Sequence, residues 1–285
     1  MKKLLSLIMA LAVCAGGGIL TGCKPKDDNS GIVGIESAKY DASKEQLVVA
    51  TNAQFAPFEY KLGNKFAGID MEVAKGFADY LGQELVIMDM DFDSVVTSVG
   101  KNGVDIGMAG LTVNETRKQS VDFTDSYYEA SQMVIVKKDD TTFDACTTAE
   151  QVEALLNVAG KKIGVQSGTT GQYLVEGDED WDFPGYKNAQ CVKHTNAGLA
   201  VKDMLNGNID YVVVDAAPAK AIVASMSGVK VINIELTEEE YAFGVDKAQP
   251  ELLAKANEYL AKIKGDGTYE AIAQKYFTQY EEVAA

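Results

Sequence analysis

The stretch DIGMAGLTVNETR, residues 105–117, joins a short apolar segment, a Gly–Thr turn and a single arginine. The apolar segment follows an Asn–Gly helix stop and is too short for a helix, so it predicts a buried strand. The residues after Gly110 and Thr112 predict the first turn of a helix. Backbone N–H groups at a helix start, the Thr112 hydroxyl and the Arg117 guanidinium can all face one small anion. The stretch therefore predicts a carboxylate-binding corner, where the planar fork of arginine forms two parallel hydrogen bonds.

Length and charge limit the classes of function. With 285 residues the chain is long enough for two lobes with substantial cores. Its formal net charge of −16 disfavours nucleic acid as a partner. The single histidine, His194, is not accompanied by a Cys, His and Asp cluster of the kind that holds zinc or iron. The sequence therefore predicts no metal and no cofactor.

The N-terminus has the pattern of an export signal. Two lysines precede an apolar run over residues 4–20, and the segment ends in LTGC with Cys23 last. This resembles a bacterial lipoprotein signal peptide, in which cleavage leaves a lipid-modified cysteine at the new N-terminus. The prediction is a leader over residues 1–22, lipid attachment at Cys23 and a flexible polar tether over residues 23–45. A retained membrane anchor is the alternative, which the glycines and the modest length of the run disfavour.

Two cysteines belong to the predicted folded part, Cys146 and Cys191. Outside the cytoplasm such a pair either forms a disulfide or stays as two buried thiols. The sequence leaves both possibilities open.

Hydrophobic patterns along the chain alternate between strand and helix. The first half begins with the strand QLVVAT at residues 46–51, and an apolar stripe at helical spacing then predicts a helix that stops at Gly82. Between them, TNAQFAPFEY at residues 51–60 predicts an aromatic-rich loop just past a strand end, where open α/β sheets hold ligands. The alternation predicts parallel strands with helices on their faces.

The second half of the chain repeats the first. KNGVD at residues 101–105 precedes one strand, and NGNID at residues 206–210 precedes another. Aligning the final aspartates places Asp215 opposite Gly110, where the anion corner begins. Two similar lobes would present a cationic Arg117 and an anionic Asp215 to a shared cleft. This layout predicts a ligand that carries both a carboxylate and an ammonium group.

A set of motifs identifies the family that the chain resembles. They are TNAQFAPFEY, GIDMEVAKGFADYL, AGLTVNETR followed by VDFTDSYY, GVQSGTTGQ, NGNIDYVVVD and GDGTYEAIAQKYF. They run from residue 46 to residue 277 and resemble the amino-acid-binding lipoproteins of ABC importers, solute-binding protein family 3. The resemblance implies an α/β fold of the periplasmic binding protein type II. Two similar lobes, each a mostly parallel sheet flanked by helices, would be joined by a two-strand hinge.

The resemblance also implies a division of the chain and a mechanism. The first lobe would comprise residues 46–131 and 241–280, and the second lobe residues 132–240. The chain would cross between the lobes near residues 129–133 and 237–242. Ligand binding to one lobe would then close the hinge, because the second lobe supplies the missing contacts.

The family pattern implies roles for residues of the cleft. Arg117 would clamp the α-carboxylate of the ligand, and Asp215 would take its α-amine. Phe55 and Phe66 would sandwich the ligand side chain. The resemblance implies further contacts on the carboxylate from Gly110, Thr112 and the backbone N–H groups of Thr169 and Thr170. It also implies a contact between Asn52 and the ligand.

The identity of the ligand depends on acidic and amide side chains near the cleft. Some relatives that bind basic amino acids carry an aspartate in place of Asn52, and an asparagine does not select a cation on its own. Asp89, Asp91 and Asp93 lie past another predicted strand end, where they either supply a negative field or form a solvated loop. Gln166 stands where a pocket for acidic side chains favours lysine. The sequence ranks polar and basic amino acids, including glutamine, above acidic ones.

The implied protein is a monomeric, extracytoplasmic binding protein, anchored to the bacterial membrane through lipid, that delivers a free amino acid to an ABC transporter permease. Two other classes stay open. An enzyme of the same fold, such as a cyclohexadienyl dehydratase, needs a carboxylic acid with a raised pKa in the cleft, and Asp215 is the candidate. A ligand-sensing module would be fused to a membrane-spanning segment and a signalling domain.

Overall fold

The structure is a computed structural model that describes residues 31–281. The predicted leader and the predicted lipid site at Cys23 lie outside the described residues. Two five-stranded sheets form two lobes, and helices pack against them. Within residues 31–281 no helix combines the length and apolar character that a membrane crossing requires.

The first sheet is built from the first half of the chain and one returning strand. Its strands, in spatial order, are β5 (Glu84–Asp89), β1 (Gln46–Thr51), β6 (Ile106–Gly107), β15 (Gly244–Asp246) and β7 (Val121–Phe123). Strand β1 runs parallel to β5 and β6, whereas β15 runs antiparallel to β6 and β7. All residues of β1 after the first are buried, as the apolar sequence of an interior strand requires.

The second sheet has the same plan. Its strands, in spatial order, are β11 (Gln190–His194), β10 (Lys162–Gln166), β12 (Tyr211–Asp215), β9 (Gln132–Lys137) and β13 (Val229–Ile232). Strand β10 runs parallel to β11 and β12, and β9 runs antiparallel to β12 and β13. Both sheets are therefore mixed, because the strand next to the crossing between lobes enters each sheet in the opposite direction.

The repeat seen in the sequence has a structural cause. Asp105 Oδ2 accepts a hydrogen bond from Val48 N at 2.9 Å, and Asp210 Oδ2 accepts one from Lys162 N at 2.9 Å. Each aspartate precedes a strand and satisfies a backbone donor of the neighbouring parallel strand, β1 or β10. The two lobes thus begin their parallel pairing with the same contact.

The helices include the one predicted to stop at Gly82 and the one predicted to begin before Arg117. Those of the described residues are α1 (Ile69–Leu81), α2 (Phe92–Ser98), α3 (Glu115–Lys118), α4 (Ala149–Leu156), α5 (Thr170–Glu176), α6 (Ala197–Leu205), α7 (Ala216–Ser225), α8 (Pro250–Gly265) and α9 (Thr268–Glu281), with a 3-10 turn at Glu179–Trp181. Helix α1 ends at Gly82, whose φ of 72° is left-handed and whose N–H bonds back to the last turn. The predicted helix stop is confirmed.

Two short strands connect the lobes. Strands β8 (Tyr128–Ala130) and β14 (Glu239–Tyr241) pair antiparallel. The chain runs from β8 into β9 of the second sheet and from β14 into β15 of the first sheet. These crossings form the two-strand hinge that the resemblance implies.

The aromatic segment after β1 is not a simple loop. Strands β2 (Gln54–Phe55), β3 (Glu59–Leu62) and β4 (Lys65–Ala67) form a three-stranded antiparallel sheet. The prediction of a loop was wrong at this point, because strands of two to four residues are too short to show a period of two.

Part of the predicted tether is folded against the first lobe. Ile35 and Phe66 exchange two backbone hydrogen bonds with N–O distances of 2.7 and 2.9 Å, and Ala38 N donates to Leu85 O at 2.8 Å. Ile35 and Ala38 are partly buried among core side chains. The prediction of a flexible tether was therefore wrong for these residues. Isolated apolar side chains in a polar segment do not indicate that the segment packs against a lobe.

An aromatic cluster packs behind the turn at Gly110. The Phe58 ring lies edge-on to Tyr241 with centroids 5.2 Å apart, and Tyr127 stacks on Phe243 at 4.4 Å. All four rings are buried. Because such pairs add about 0.5–1.5 kcal/mol each beyond burial, the cluster holds the hinge strand β14 firmly against the first lobe.

Candidate functional site

The predicted anion corner is a tight turn at the end of β6. Gly110 has a left-handed φ of 54°, and its N–H donates to Asp70 Oδ2 at 3.0 Å. A Cβ atom here would lie 2.9 Å from Phe55 Cε1 and 3.2 Å from Tyr241 Cε2. Both the backbone angle and the space therefore require glycine. The Gly110 N–H is committed to Asp70, so this residue shapes the corner rather than donating to a ligand.

Arg117 is held in the corner by its own helix. Asn114 caps α3 by accepting from Arg117 N at 2.7 Å, which fixes where the arginine side chain leaves the helix. The guanidinium donates through Nη1 to Thr112 O at 2.7 Å and through Nη2 to Gly168 O at 3.0 Å. Burial lowers the pKa of Arg117, while Glu239 and Asp215 favour its charged form. Arg117 is therefore a buried cation that touches both lobes.

Aromatic rings flank this guanidinium. The centroid of Phe92 lies 5.4 Å from Arg117 Cζ, and the centroid of Trp181 lies 5.6 Å from it. Phe92 begins α2 of the first lobe, whereas Trp181 ends the 3-10 turn of the second lobe. Such cation–π contacts orient the plane of the arginine fork.

Two threonines meet across the cleft. Thr170 Oγ1 of the second lobe donates to Thr112 Oγ1 of the first lobe at 3.1 Å. Thr112 Oγ1 in turn donates to Glu239 Oε2 at 2.7 Å. Thr169 caps α5 and donates to Gln166 O at 2.8 Å. The structure thus brings the predicted threonines to the corner, with their hydroxyl protons already committed.

Asp215 is the last residue of β12 and lies 5% exposed. It accepts a short hydrogen bond from Tyr241 Oη. Burial, followed by repulsion from Glu239, raises the pKa of Asp215 to about 7. The predicted mirror partner of the corner is therefore a buried carboxyl group that a cation would stabilise in its ionised form.

Asn52 is bonded to both lobes. Its Nδ2 donates to Met90 O at 2.7 Å, and its Oδ1 accepts from Gln166 Nε2 at 3.0 Å. Asp89, one of the acids considered for a negative field, is exposed, accepts from Ala53 N at 2.9 Å and pairs with Lys61 at 3.2 Å. These groups are committed to protein partners in the arrangement seen here.

Of the two aromatic residues expected to sandwich the ligand, only one lies at the corner. Phe55 packs against the turn at Gly110. Phe66 lies on β4, where it pairs with Ile35 and has Lys61 Nζ at 3.7 Å from its ring centroid. Phe92, for which the sequence analysis predicted no role in the site, faces Arg117 together with Trp181. The hydrophobic pattern could not separate these rings, because both are apolar residues at the edge of an element.

Glu239 is a site residue that the sequence analysis missed. It lies on β14 with 9% exposure and accepts from Thr112, Gln132 and Thr237. The neighbouring Glu238 and Glu240 are exposed. Alternation along a strand turns inward either the middle glutamate of the run EEE or the two outer ones, and the sequence does not say which.

A second missed feature is a buried carboxyl pair behind the corner. Glu59 and Asp70 are both 0% exposed. Burial raises the pKa of Asp70 to about 7, and burial together with the nearby Asp70 raises the pKa of Glu59 well above its ordinary value. As two carboxylates they would leave buried oxygens without donors. A proton shared between the two carboxyl groups would supply the missing donor, while Asp70 Oδ2 holds the Gly110 turn.

The lobes also touch at the rim of the cleft. Thr116 Oγ1 donates to Asp180 Oδ2 at 3.0 Å, and Asn196 Nδ2 donates to Gln54 Oε1 at 2.7 Å. Thr116 and Gln54 belong to the first lobe, and the other two residues to the second. The two sides of the cleft are therefore in contact along its length.

A cavity of about 760 Å³ lies on the hinge side of the molecule. Helix α7, strand β13, the hinge strand β8 and the end of α9 line it, together with Tyr241. Arg117 is not among its lining residues, so this cavity is separate from the anion corner.

The two cysteines are free thiols in the structure, and burial raises the pKa of Cys191 to about 12. Among residues 31–281 the acidic, histidine and cysteine side chains form no group of three that is suited to a metal ion.

Known proteins share this architecture. The arginine-binding extracellular protein ArtP of Bacillus subtilis is 29% identical over 98% of this chain and 99% of its own. The crystal structure of a mutant of ArgBP from T. maritima matches with a TM-score of 0.71 and 33% identity, covering 82% of this chain and 96% of that one. An ancestral arginine-binding protein bound to glutamine matches with a TM-score of 0.70 and 34% identity, covering 82% and 98%. These relatives are binding proteins, not enzymes, and their fold is the type II periplasmic binding protein fold.

The family model for bacterial extracellular solute-binding proteins, family 3, matches residues 47–279. That range includes both sheets, the hinge and the corner around Arg117. The chain therefore belongs to the bacterial extracellular solute-binding proteins of family 3.

Proposed function

We propose that this protein captures a free amino acid between its lobes, with basic amino acids preferred, and delivers it to the permease of an ABC transporter. The proposal rests on two buried groups of opposite charge on facing lobes. Arg117 is the cation of the first lobe, and Asp215 is the carboxyl group of the second lobe. A zwitterion offers the opposite charge to each. The ligand carboxylate would displace the Gly168 carbonyl from the guanidinium, and the ligand ammonium would lie against Asp215.

The charges near the cleft favour a ligand with a net positive charge. Arg117 is accompanied by two buried acidic groups, Asp215 and Glu239, both of which stabilise its cationic form. A zwitterionic ligand leaves this excess of negative charge in place, whereas arginine or lysine neutralises it. The relatives named for arginine support this preference, and the ancestral protein bound to glutamine supports a polar neutral ligand as the second choice.

Thr112 takes a different role from the one the family resemblance implied. A hydroxyl has one proton, and that of Thr112 is directed at Glu239. Its oxygen is left to accept, as it does from Thr170. Thr112 therefore accepts from the ligand ammonium, together with Asp215, instead of donating to the ligand carboxylate.

The single tryptophan supplies the test. Trp181 lies beside Arg117 at the contact between the lobes, so lobe movement and ligand charge both change its surroundings. We expect L-arginine to give a saturable change in the fluorescence of residues 24–285 and a rise in melting temperature. L-citrulline, which has nearly the same shape without the charge, should bind about tenfold or more weakly.

Agmatine, which lacks the α-carboxylate, serves as the control and should cause no shift. A protein that responds to no amino acid, or equally to agmatine and arginine, would contradict the proposal.

The enzymatic alternative has one observation in its favour. The raised pKa of Asp215 is the property that a cleft acid would need. The raised pKa is caused by burial and by the neighbouring Glu239. The same surroundings suit a carboxyl group that binds an ammonium ion. The binding function is preferred because the relatives compared above are binding proteins.

A lipid anchor at Cys23 is part of the proposal. The family is extracellular, and LTGC ends an apolar leader in this chain. Cells that express the full chain should incorporate labelled palmitate into the protein, and Cys23→Ser should abolish the label. Labelling that survives this substitution would place the lipid elsewhere.

A further inference from the structure

A carboxylate in the hinge meets both lobes. Glu239 Oε2 accepts from Thr112 Oγ1 at 2.7 Å, and Oε1 accepts from Gln132 Nε2 at 3.0 Å and from Thr237 Oγ1 at 2.7 Å. Thr112 belongs to the corner of the first lobe, Gln132 begins β9 of the second lobe, and Thr237 lies on the segment that crosses back. Glu239 thus ties together three parts of the chain that a hinge rotation would move relative to one another.

The hydrogen bonds run in one direction from the second lobe to the hinge. Thr170 donates to Thr112, and Thr112 donates to Glu239. The first of these bonds crosses the cleft, so it exists only while the lobes are together. The second bond uses the Thr112 proton, so Thr112 presents a lone pair to the cleft.

We propose that Glu239 is a positioning residue that turns the Thr112 hydroxyl toward the hinge and thereby makes lobe closure depend on the α-ammonium group of the ligand. This inference rests on the proposed function, because it assumes an amino acid in the cleft. The ammonium group would donate to Thr112 of the first lobe and to Asp215 of the second lobe at once. Glu239 acts through Thr112 and does not itself touch the ligand.

A glutamine at this position cannot replace the carboxylate. Thr112 reaches one oxygen of Glu239, while Gln132 and Thr237 share the other. An amide has a single oxygen, so one side must face an NH₂ group. If that side is Thr112, its hydroxyl turns to accept, and the lone pair offered to the ammonium group is lost. If it is Gln132, its amide must turn over to accept from the new NH₂ group, and its own NH₂ group is then taken away from Glu239 and Asp215.

The same strand offers a matched control. Glu240 follows Glu239 but is exposed, and its backbone oxygen accepts from Val113 N at 3.0 Å. Glu240→Gln makes the same chemical change and the same change in total charge. It leaves the hydrogen bonds among Thr170, Thr112 and Glu239 in place.

The experiment measures the Kd for L-arginine by calorimetry and by Trp181 fluorescence, with melting temperature as the check on folding. The variants are Glu239→Gln, Glu240→Gln, Thr112→Val and the double variant Glu239→Gln/Thr112→Val. Glu239→Gln should weaken arginine binding by about tenfold to a hundredfold. Glu240→Gln should stay within about twofold. The double variant should lose much less affinity than the product of the two single losses, because the oriented hydroxyl is already gone and only the charge of Glu239 remains to be removed.

Two results would overturn the role of Glu239. One is arginine binding by Glu239→Gln as tight as that of the wild-type protein, and the other is losses that multiply in the double variant. A variant that only weakens the hinge would lower the melting temperature without this non-additivity. If Glu239→Gln does not fold, Glu239→Asp keeps the charge and should show a smaller loss that is again non-additive with Thr112→Val. A wild-type protein that binds no amino acid would contradict the proposed function itself, which is a different outcome.

Discussion

Replacing Arg117 with lysine is expected to remove measurable amino acid binding while the protein stays folded. The guanidinium already holds Thr112 O and Gly168 O, one on each lobe, and a ligand carboxylate needs two parallel donors from the same fork. Lysine places one ammonium group there and cannot supply these contacts together. Because two charge-assisted hydrogen bonds contribute about 3–6 kcal/mol, affinity should fall by at least about a hundredfold. Isothermal titration with L-arginine measures the change.

The neighbouring Lys118 provides the control for Arg117. It lies on the same helix, is exposed and pairs with Glu115 on the surface at 2.7 Å. Lys118→Ala should leave the Kd unchanged, since exposed ion pairs contribute about 0–1 kcal/mol. Circular dichroism of the Arg117 variant should match that of the wild-type protein. Tight binding by a folded Arg117→Lys variant would refute the assignment of the carboxylate clamp.

Asp215→Asn is expected to have opposite effects on binding and on stability. An asparagine keeps the shape of the side chain but removes the charge that would meet the ligand ammonium, so affinity should fall by about a hundredfold or more. The ligand-free protein, in contrast, should become more stable above neutral pH. Burial and the repulsion from Glu239 make the ionised form of Asp215 unfavourable until a cation arrives.

The sign of the pH dependence follows from the raised pKa. Between the usual aspartate pKa of 3.8 and the folded-state pKa of about 7, the folded protein holds a proton on Asp215 that the unfolded chain has released. The stability that this proton contributes is complete below the lower value and is lost as pH rises through the higher one. The free energy of unfolding should therefore fall by about 2–4 kcal/mol from this group. Urea titrations of the ligand-free protein at pH 5 and pH 8 measure the fall.

The difference between wild type and Asp215→Asn isolates this residue, because Asp70 also has a pKa of about 7 and titrates in both proteins. Asp139→Asn, on the surface beyond β9, should show the wild-type pH dependence. The affinity of the wild-type protein for arginine should rise from pH 5 to pH 8, since the ammonium group needs Asp215 ionised. An affinity that is flat over this range would place the ammonium group elsewhere.

Local sequence patterns predicted much of the secondary structure and the plan of the lobes. QLVVAT became β1, the stripe before Gly82 became α1, and the repeated aspartates Asp105 and Asp210 proved to begin the parallel pairing of each lobe. These features depend on neighbours along the chain: the period of apolar residues, a glycine that stops a helix, and an aspartate ahead of a strand. Arg117 was found for a similar reason, because a Gly–Thr turn and an Asn-capped helix lie within thirteen residues of sequence.

The sequence by itself therefore determined the longer strands and helices, their repeat and the two opposite charges, Arg117 and Asp215, on which the proposed function depends. Only the tertiary structure decided which residues surround those charges. It placed Phe92 against Arg117 and Phe66 beside Lys61, turned Glu239 inward from a run of three glutamates, and directed the Thr112 proton at Glu239. The physical reason is that these choices depend on contacts between segments far apart in the chain. A local pattern records that a side chain is apolar or acidic, whereas burial, hydrogen-bond direction and pKa are set by the partners that folding brings to it.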